Sequence, residues 1–190
     1  MAGSSRAKLA GVLALQGDFE AHRKAIERAG GQALEVRSAA DLERCGGLII
    51  PGGESTTMLK LLDQEQLSDA IRAFGQSKPI YGSCAGAILL AREVTHPAQQ
   101  SLGLLDITVE RNAYGRQVDS RIVRLATETG EMEAVFIRAP KILKTSGKVT
   151  VLASYQGDPV WVEQGRHMVT TFHPELSPDL RVHTRFLGKF

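Results

Sequence analysis

A cysteine flanked by small residues, Gly82-Ser83-Cys84-Ala85-Gly86, follows the short apolar run Pro79-Ile80-Tyr81 and precedes the helical pattern Ile88-Leu89-Leu90-Ala91. This is the G-x-nucleophile-x-G form between a strand and a helix. It sets the middle side chain on a tight turn at the carboxyl end of a sheet. The helix that follows presents free N–H groups and its positive dipole end, which favours a thiolate. A free cysteine in a Gly-rich turn also suits a buried structural role, and the strand–turn–helix context weighs toward the nucleophile. Cys45, in Glu43-Arg44-Cys45-Gly46, has neither an elbow nor a strand leading into it, and is assigned no role.

A thiol nucleophile needs a group that both accepts and returns a proton near neutral pH, which imidazole does. Thr171-Phe172-His173-Pro174-Glu175 offers one. In extended backbone His173 and Glu175 point the same way, and a carboxylate on the far ring nitrogen fixes the tautomer. Pro174 stiffens the segment. The competing reading is a surface histidine beside an acid. His22, His96, His167 and His183 lack such company. No H-E-x-x-H or C-x-x-C spacing occurs, so neither a metal site nor a cofactor is expected.

Two further segments are polar. Pro51-Gly52-Gly53-Glu54-Ser55-Thr56 lies between an apolar strand and a helix. Its glycines let backbone N–H groups approach a ligand, so Gly53 and Ala85 together could hold an oxyanion. The loop reads equally as a helix N-cap turn, and it lacks the phosphate-loop pattern. Arg111-Asn112-Ala113-Tyr114-Gly115-Arg116-Gln117 carries two guanidinium groups suited to a carboxylate. On its residues alone it is a solvated or structural loop.

The elements that must position these groups alternate through the first half. Leu9–Leu15, Ala33–Val36, Gly47–Ile50 and Pro79–Tyr81 read as strands. Helical spacing runs over Phe19–Ala29 with Asp18 as N-cap, and again from Ser55 and Leu67. That order predicts an α/β fold of three layers, a mostly parallel central sheet with helices on both faces. The second half has strand patterns at Ile107–Val109, Ile122–Leu125, Ala134–Ile137, Val149–Ala153 and Val160–Val162, predicting antiparallel hairpins that close or extend the sheet. A helical pattern begins near Asp179.

Length and composition bound the rest. A chain of 190 residues suits one domain, 1–190, with residues 1–7 a flexible lead-in. At 43% hydrophobic and 23% charged residues it builds a core, which excludes general disorder. No apolar run is long enough for a membrane helix, and no signal peptide precedes Leu9, so the expected compartment is the cytoplasm. The charge balance of +2 comes from basic residues spread along the chain, with one cluster at Arg181–Arg185, so nucleic acid is not an expected partner.

Taken together, the cysteine elbow, His-Pro-Glu and the Gly-Gly loop resemble class I (triad) glutamine amidotransferases. Six segments are similar to glutaminase subunits of ribose-5-phosphate-dependent pyridoxal 5′-phosphate synthases: Leu13–Asp18, Pro51–Thr57, Gly82–Gly86, Arg111–Gln117, Phe136–Pro140 and Thr171–Leu176. Ser83 stands where that family usually has Thr, and Ser120-Arg121 where it usually has an aromatic residue. The resemblance implies hydrolysis of L-glutamine to glutamate and ammonia, with ammonia passed to a (β/α)8-barrel synthase subunit. It implies a complex of twelve copies of each subunit and a glutaminase poorly active until the synthase docks. It implies Cys84 as nucleophile, His173 and Glu175 completing the triad, and Gly53 and Ala85 as oxyanion donors. Gly52, Gly53, Glu54, Arg111, Ile137 and Arg138 would line the glutamine site, and Gln16 would face the synthase. The rivals are the glutaminase of another pathway, such as imidazole glycerol phosphate synthase, a thiol peptidase or deglycase, and a non-catalytic glutamine-binding subunit.

Overall fold

Apolar residues that alternate between two buried faces build the centre of the molecule. The computed structural model describes residues 8–113 and 120–190. The lead-in over 1–7 and the part of the Arg111 loop from 114 onward lie outside the described residues.

Along the first half run β1 (Leu9–Leu13), α1 (Phe19–Arg28), β2 (Gln32–Val36), α2 (Ala39–Glu43), β3 (Gly47–Ile50), α3 (Ser55–Gln64), α4 (Leu67–Gly75), β4 (Ile80–Ser83) and α5 (Ala85–Leu90). The second half holds β5 (Ala91–Thr95), β6 (Leu105–Glu110), β7 (Ser120–Thr127), β8 (Gly130–Ile137), β9 (Lys141–Thr145), β10 (Thr150–Tyr155), β11 (Asp158–Gln164) and β12 (His167–Thr170). A 3-10 turn (Pro174–Leu176) and α6 (Arg181–Leu187) end the order.

The main sheet has seven strands in the order β10-β11-β12-β4-β3-β1-β2. Pairing is parallel from β2 to β12 and antiparallel between β12, β11 and β10. Because successive strand side chains point to opposite faces, Leu13, Leu48, Ile50, Ile80 and Val169 join one core. Ala10, Val12, Ile49, Tyr81 and Met168 join the other. The first core is closed by α3, α4 and α5 through Met58, Leu62, Ile71 and Leu89. The second is closed by α1 and α6 through Ile26, Val182 and Phe186. Strands buried on both faces explain the near-continuous apolar runs.

The hairpins differ from the expectation in part. β10 and β11 extend the sheet as read. The β7–β8 hairpin instead covers the second core with Leu125, Met132, Ala134 and Phe136. β5, β6 and β9 form a separate three-stranded sheet against the first core. Strand β1 stops at Leu13, and Ala91, read as helical, is extended (φ −60°, ψ 148°) and opens β5. Short strands without alternation, β5, β9 and β12, left no separate signal. Among the described residues no helix is long and apolar enough to cross a membrane.

Candidate active site

Four parallel strands deliver the chemistry to one edge. Gln16 follows β1, the Gly52-Gly53 loop follows β3, Cys84 follows β4 and His173 follows β12, all at carboxyl ends. In open α/β sheets that edge is where ligands bind.

Cys84 alone makes the turn between β4 and α5, at φ 50° and ψ −103°. A non-glycine residue held there costs about 1–3 kcal/mol and persists only when its surroundings over-determine it. They do so from both sides. Cys84 N–H donates to Thr170 O at 2.9 Å, and Cys84 O accepts from Ala87 N at 3.0 Å. The elbow is tight enough that a Cβ on Gly82 would lie 2.5 Å from the Gly86 carbonyl. Cys84 is 7% exposed, and its Sγ lies 3.9 Å from the Ile137 carbonyl oxygen.

His173 is anchored by its N–H to Val135 O at 2.8 Å, and its Nδ1 lies 2.7 Å from Glu175 Oε1. The expected extended backbone is absent, because Pro174–Leu176 form the 3-10 turn. Leu176 N–H donates back to His173 O at 3.3 Å, folding Glu175 under the ring. Both side chains are buried. Burial opposes the imidazolium, but hydrogen bonds to Cys84 and Glu175 and their charge outweigh it, raising His173 to about 10. Burial likewise opposes the Glu175 carboxylate, yet His22 and His173 hold it at about 2.

The Gly52-Gly53 loop closes over this pair. A Cβ on Gly52 would lie 2.5 Å from His173 Cε1 and 3.4 Å from Cys84 Cβ, so only glycine fits. Gln16 Oε1 accepts from Glu54 N at 3.0 Å and fills the space beside Gly53. Glu54 is the N-cap of α3, accepting from Thr56 N, Thr57 N and Thr57 Oγ1. Partial burial raises its pKa, but these bonds prevail and hold it at about 2. The loop is thus an N-cap turn as well as a wall of the site. Arg111 Nη2 donates to Thr56 Oγ1 at 2.8 Å and lies 3.8 Å from Glu54 Oε1. Ala85 is the first residue of α5, where helical N–H groups lack intrahelical acceptors. Arg138, at φ 45°, is exposed beside Ile137.

Two neighbours went unread in the sequence. His22 and His183 were expected to stand apart, yet both are fully buried behind Glu175. His22 Nε2 lies 3.3 Å from Glu175 Oε2 and 2.9 Å from Ser83 Oγ, and its Nδ1 lies 3.0 Å from His183 Nε2. The available signal was stripe position: His22 sits with Ala25 and Ile26 on α1, and His183 with Val182 and Phe186 on α6. His167 also has a partner, its Nδ1 accepting from Ile80 N at 3.1 Å, and His96 lies 3.9 Å from Glu110. Cys45 is buried and its thiol pushed up to about 11 by that burial. Among the described residues no group of three or more His, Cys, Asp or Glu could hold a metal ion.

Known proteins resemble this chain over most of its length. Residues 12–190 match the SNO glutamine amidotransferase family. The chain is 60% identical over 190 residues to the pyridoxal 5′-phosphate synthase subunit PdxT of Solibacter usitatus, covering 96% of this chain and 99% of that one. It is 52% identical to the PdxT of Koribacter versatilis, covering 93% of each. A crystal structure titled glutamine amidotransferase superposes with a TM-score of 0.90 at 46% identity, covering 95% of this chain and 97% of that chain. A match across most of its length places the chain in the SNO glutamine amidotransferase family.

Proposed function

We infer that this chain is the glutaminase subunit of a pyridoxal 5′-phosphate synthase, hydrolysing L-glutamine to glutamate and ammonia as one domain over 1–190. The observation that carries the reading is Cys84 on a strained, over-determined turn, beside His173, which is itself bonded to a buried carboxylate.

The chemistry follows from those positions. Cys84 attacks the side-chain amide carbon of glutamine as the thiolate, its proton held on His173. The oxyanion falls to the N–H groups of Gly53 and Ala85; one such donor is worth about 3 kcal/mol. His173 gives its proton to the departing nitrogen, ammonia leaves, and a γ-glutamyl thioester remains. The neutral imidazole then takes a proton from water, hydroxide adds to the thioester, and glutamate is released. Glu175 holds the tautomer that leaves Nε2 facing the sulfur. Gly52, Gly53, Glu54, Arg111, Ile137 and Arg138 line the glutamine site, with Arg111 suited to the α-carboxylate.

Free ammonia is mostly protonated in water and then not a nucleophile, so a glutaminase that feeds a second enzyme gains by staying idle until docked. The synthase subunit meets this chain near Gln16, in an assembly of twelve copies of each. Gln16 is one hydrogen bond from the Gly53–Glu54 peptide. Docking there biases the backbone of Gly52-Gly53 toward the state in which the Gly53 N–H faces the oxyanion. Ammonia release from glutamine, measured alone and with a synthase subunit, tests the reading. Acceleration by the synthase that is lost in Gln16→Ala supports it. Full turnover without a partner, or no response to the synthase, overturns the partner assignment.

A further inference from the structure

The triad does not end at Glu175. Its Oε1 accepts from His173, while Oε2 is buried without a hydrogen bond of full geometry. His22 Nε2 lies 3.3 Å from Oε2, and Ser83 Oγ lies 2.9 Å from the same nitrogen. His22, Ser83 and His183 are all 0% exposed. A polar line this deep, beside an ionised carboxylate, costs stability unless its hydrogens are correctly placed.

One placement leaves no buried N–H without an acceptor. Full burial opposes an imidazolium on His22 or His183, so each ring carries one hydrogen. With hydrogen on His22 Nδ1, that N–H would donate to His183 Nε2. His183 would then carry its own hydrogen on Nδ1, which is buried with no acceptor. His22 would also turn a lone pair toward the Glu175 carboxylate. With hydrogen on His22 Nε2, both faults disappear. The N–H faces Ser83 Oγ at 2.9 Å with Glu175 Oε2 3.3 Å from the same nitrogen, and Nδ1 accepts from His183 Nε2–H. The atom left over is a lone pair on His183 Nδ1, and an unpaired acceptor is better tolerated than an orphaned N–H.

We propose that His22 and His183 are positioning residues: His183 fixes the tautomer of His22, whose Nε2–H holds the second oxygen of Glu175 and so steadies His173 against Cys84. The inference rests on the triad reading and extends it two side chains into the core, joining α1 and α6 to the carboxyl edge of the sheet. Neither residue is placed at the glutamine site, so their loss should act on turnover rather than on substrate binding.

The test is glutamine hydrolysis by the full chain with the synthase subunit present. His22→Leu should lower kcat on the order of ten- to a hundredfold, the range for groups that orient a catalytic side chain from behind. KM should stay within about twofold, as expected when ground-state binding is untouched. His22→Gln, which keeps an N–H donor near the Nε2 position, should recover most of the loss. Wild-type kcat in His22→Leu, or equal loss in the Leu and Gln variants, overturns the proposal, and neither result touches the triad. Retained activity in Cys84→Ala would overturn the triad itself. Should His22→Leu fail to fold, nitrogen NMR of 15N-histidine-labelled wild type decides. A neutral Nε2–H tautomer at His22 supports the proposal, and an Nδ1–H tautomer or an imidazolium at neutral pH overturns it.

Discussion

His173 and His183 occupy two ends of one buried line and are driven in opposite directions. His173 touches a thiol and a carboxylate, which outweigh burial and raise it to about 10. His183 is fully buried and faces another imidazole, so burial and His22 hold it down to about 3, against the opposing charge of Glu175. The same side chain thus favours its charged form at one end and its neutral form at the other. Burial sets the cost of charge, and the nearest ionised partner decides whether that cost is met.

The largest way to break this contrast is to remove the reactive end. Cys84→Ala or His173→Ala should lower kcat by roughly 10^5-fold or more, each nearly as severe as both together, because triad members act as a unit. Ammonia release with the synthase present measures it, and near wild-type turnover in either variant would contradict the assignment. Glu175→Gln should cost less, on the order of 10^3- to 10^4-fold, since it removes charge and tautomer control but leaves the base.

Gly52→Ala comes next. Its Cβ would crowd His173 Cε1, which must move for the methyl to fit. A displacement of the base of about 1 Å costs on the order of a hundredfold in kcat. If turnover persists unchanged, the loop is not packed on His173 in the working enzyme.

The pH dependence of stability sharpens the comparison. His183 is depressed in the folded state, so the unfolded chain binds a proton that the folded chain refuses between about pH 6.5 and about 3. Its effect is a loss of stability on acidification through that window. Glu175 contributes stability above its unfolded value of 4.5 that is lost as pH falls toward about 2. His173 is raised, so its contribution is complete below 6.5 and is lost as pH rises through about 10. In denaturant titrations, His183→Gln should therefore flatten the acid limb by up to about 1.4 kcal/mol per pH unit, the slope of one proton. His173→Ala should flatten the alkaline limb and, because His173 also helps hold Glu175 down, the part of the acid limb below 4.5. Identical profiles would contradict the opposite shifts.

The smallest effect concerns the two thiols. A glutamine-like electrophile should label Cys84 and spare Cys45, which burial holds protonated to about pH 11. Cys45→Ala should leave kcat within about twofold, as expected for a buried cysteine with no chemical role. Mass spectrometry of the labelled protein distinguishes the two sites.

Much of this was legible along the chain. The elbow around Cys84 is local: strand, small residues and helix are contiguous, and the turn they force needs no distant partner to be read. The βα alternation of the first half is local too, because apolar runs and helical stripes carry their own period. His173-Pro174-Glu175 was legible as a pair, although the extended geometry expected for it gave way to a 3-10 turn. What lay beyond the sequence was everything set by long-range packing. β7–β8 reads as a hairpin, but only the exposed face of the second core decides that it lies across the sheet rather than at its edge. His22 and His183 are separated by 161 positions, and each alone is a histidine on an apolar stripe. Their meeting behind Glu175 follows from α1 and α6 packing on the same face of the sheet. Residue type and spacing determined which atoms could do chemistry. The tertiary structure decided which of them keep a charge, because that depends on neighbours brought from distant parts of the chain into a buried site.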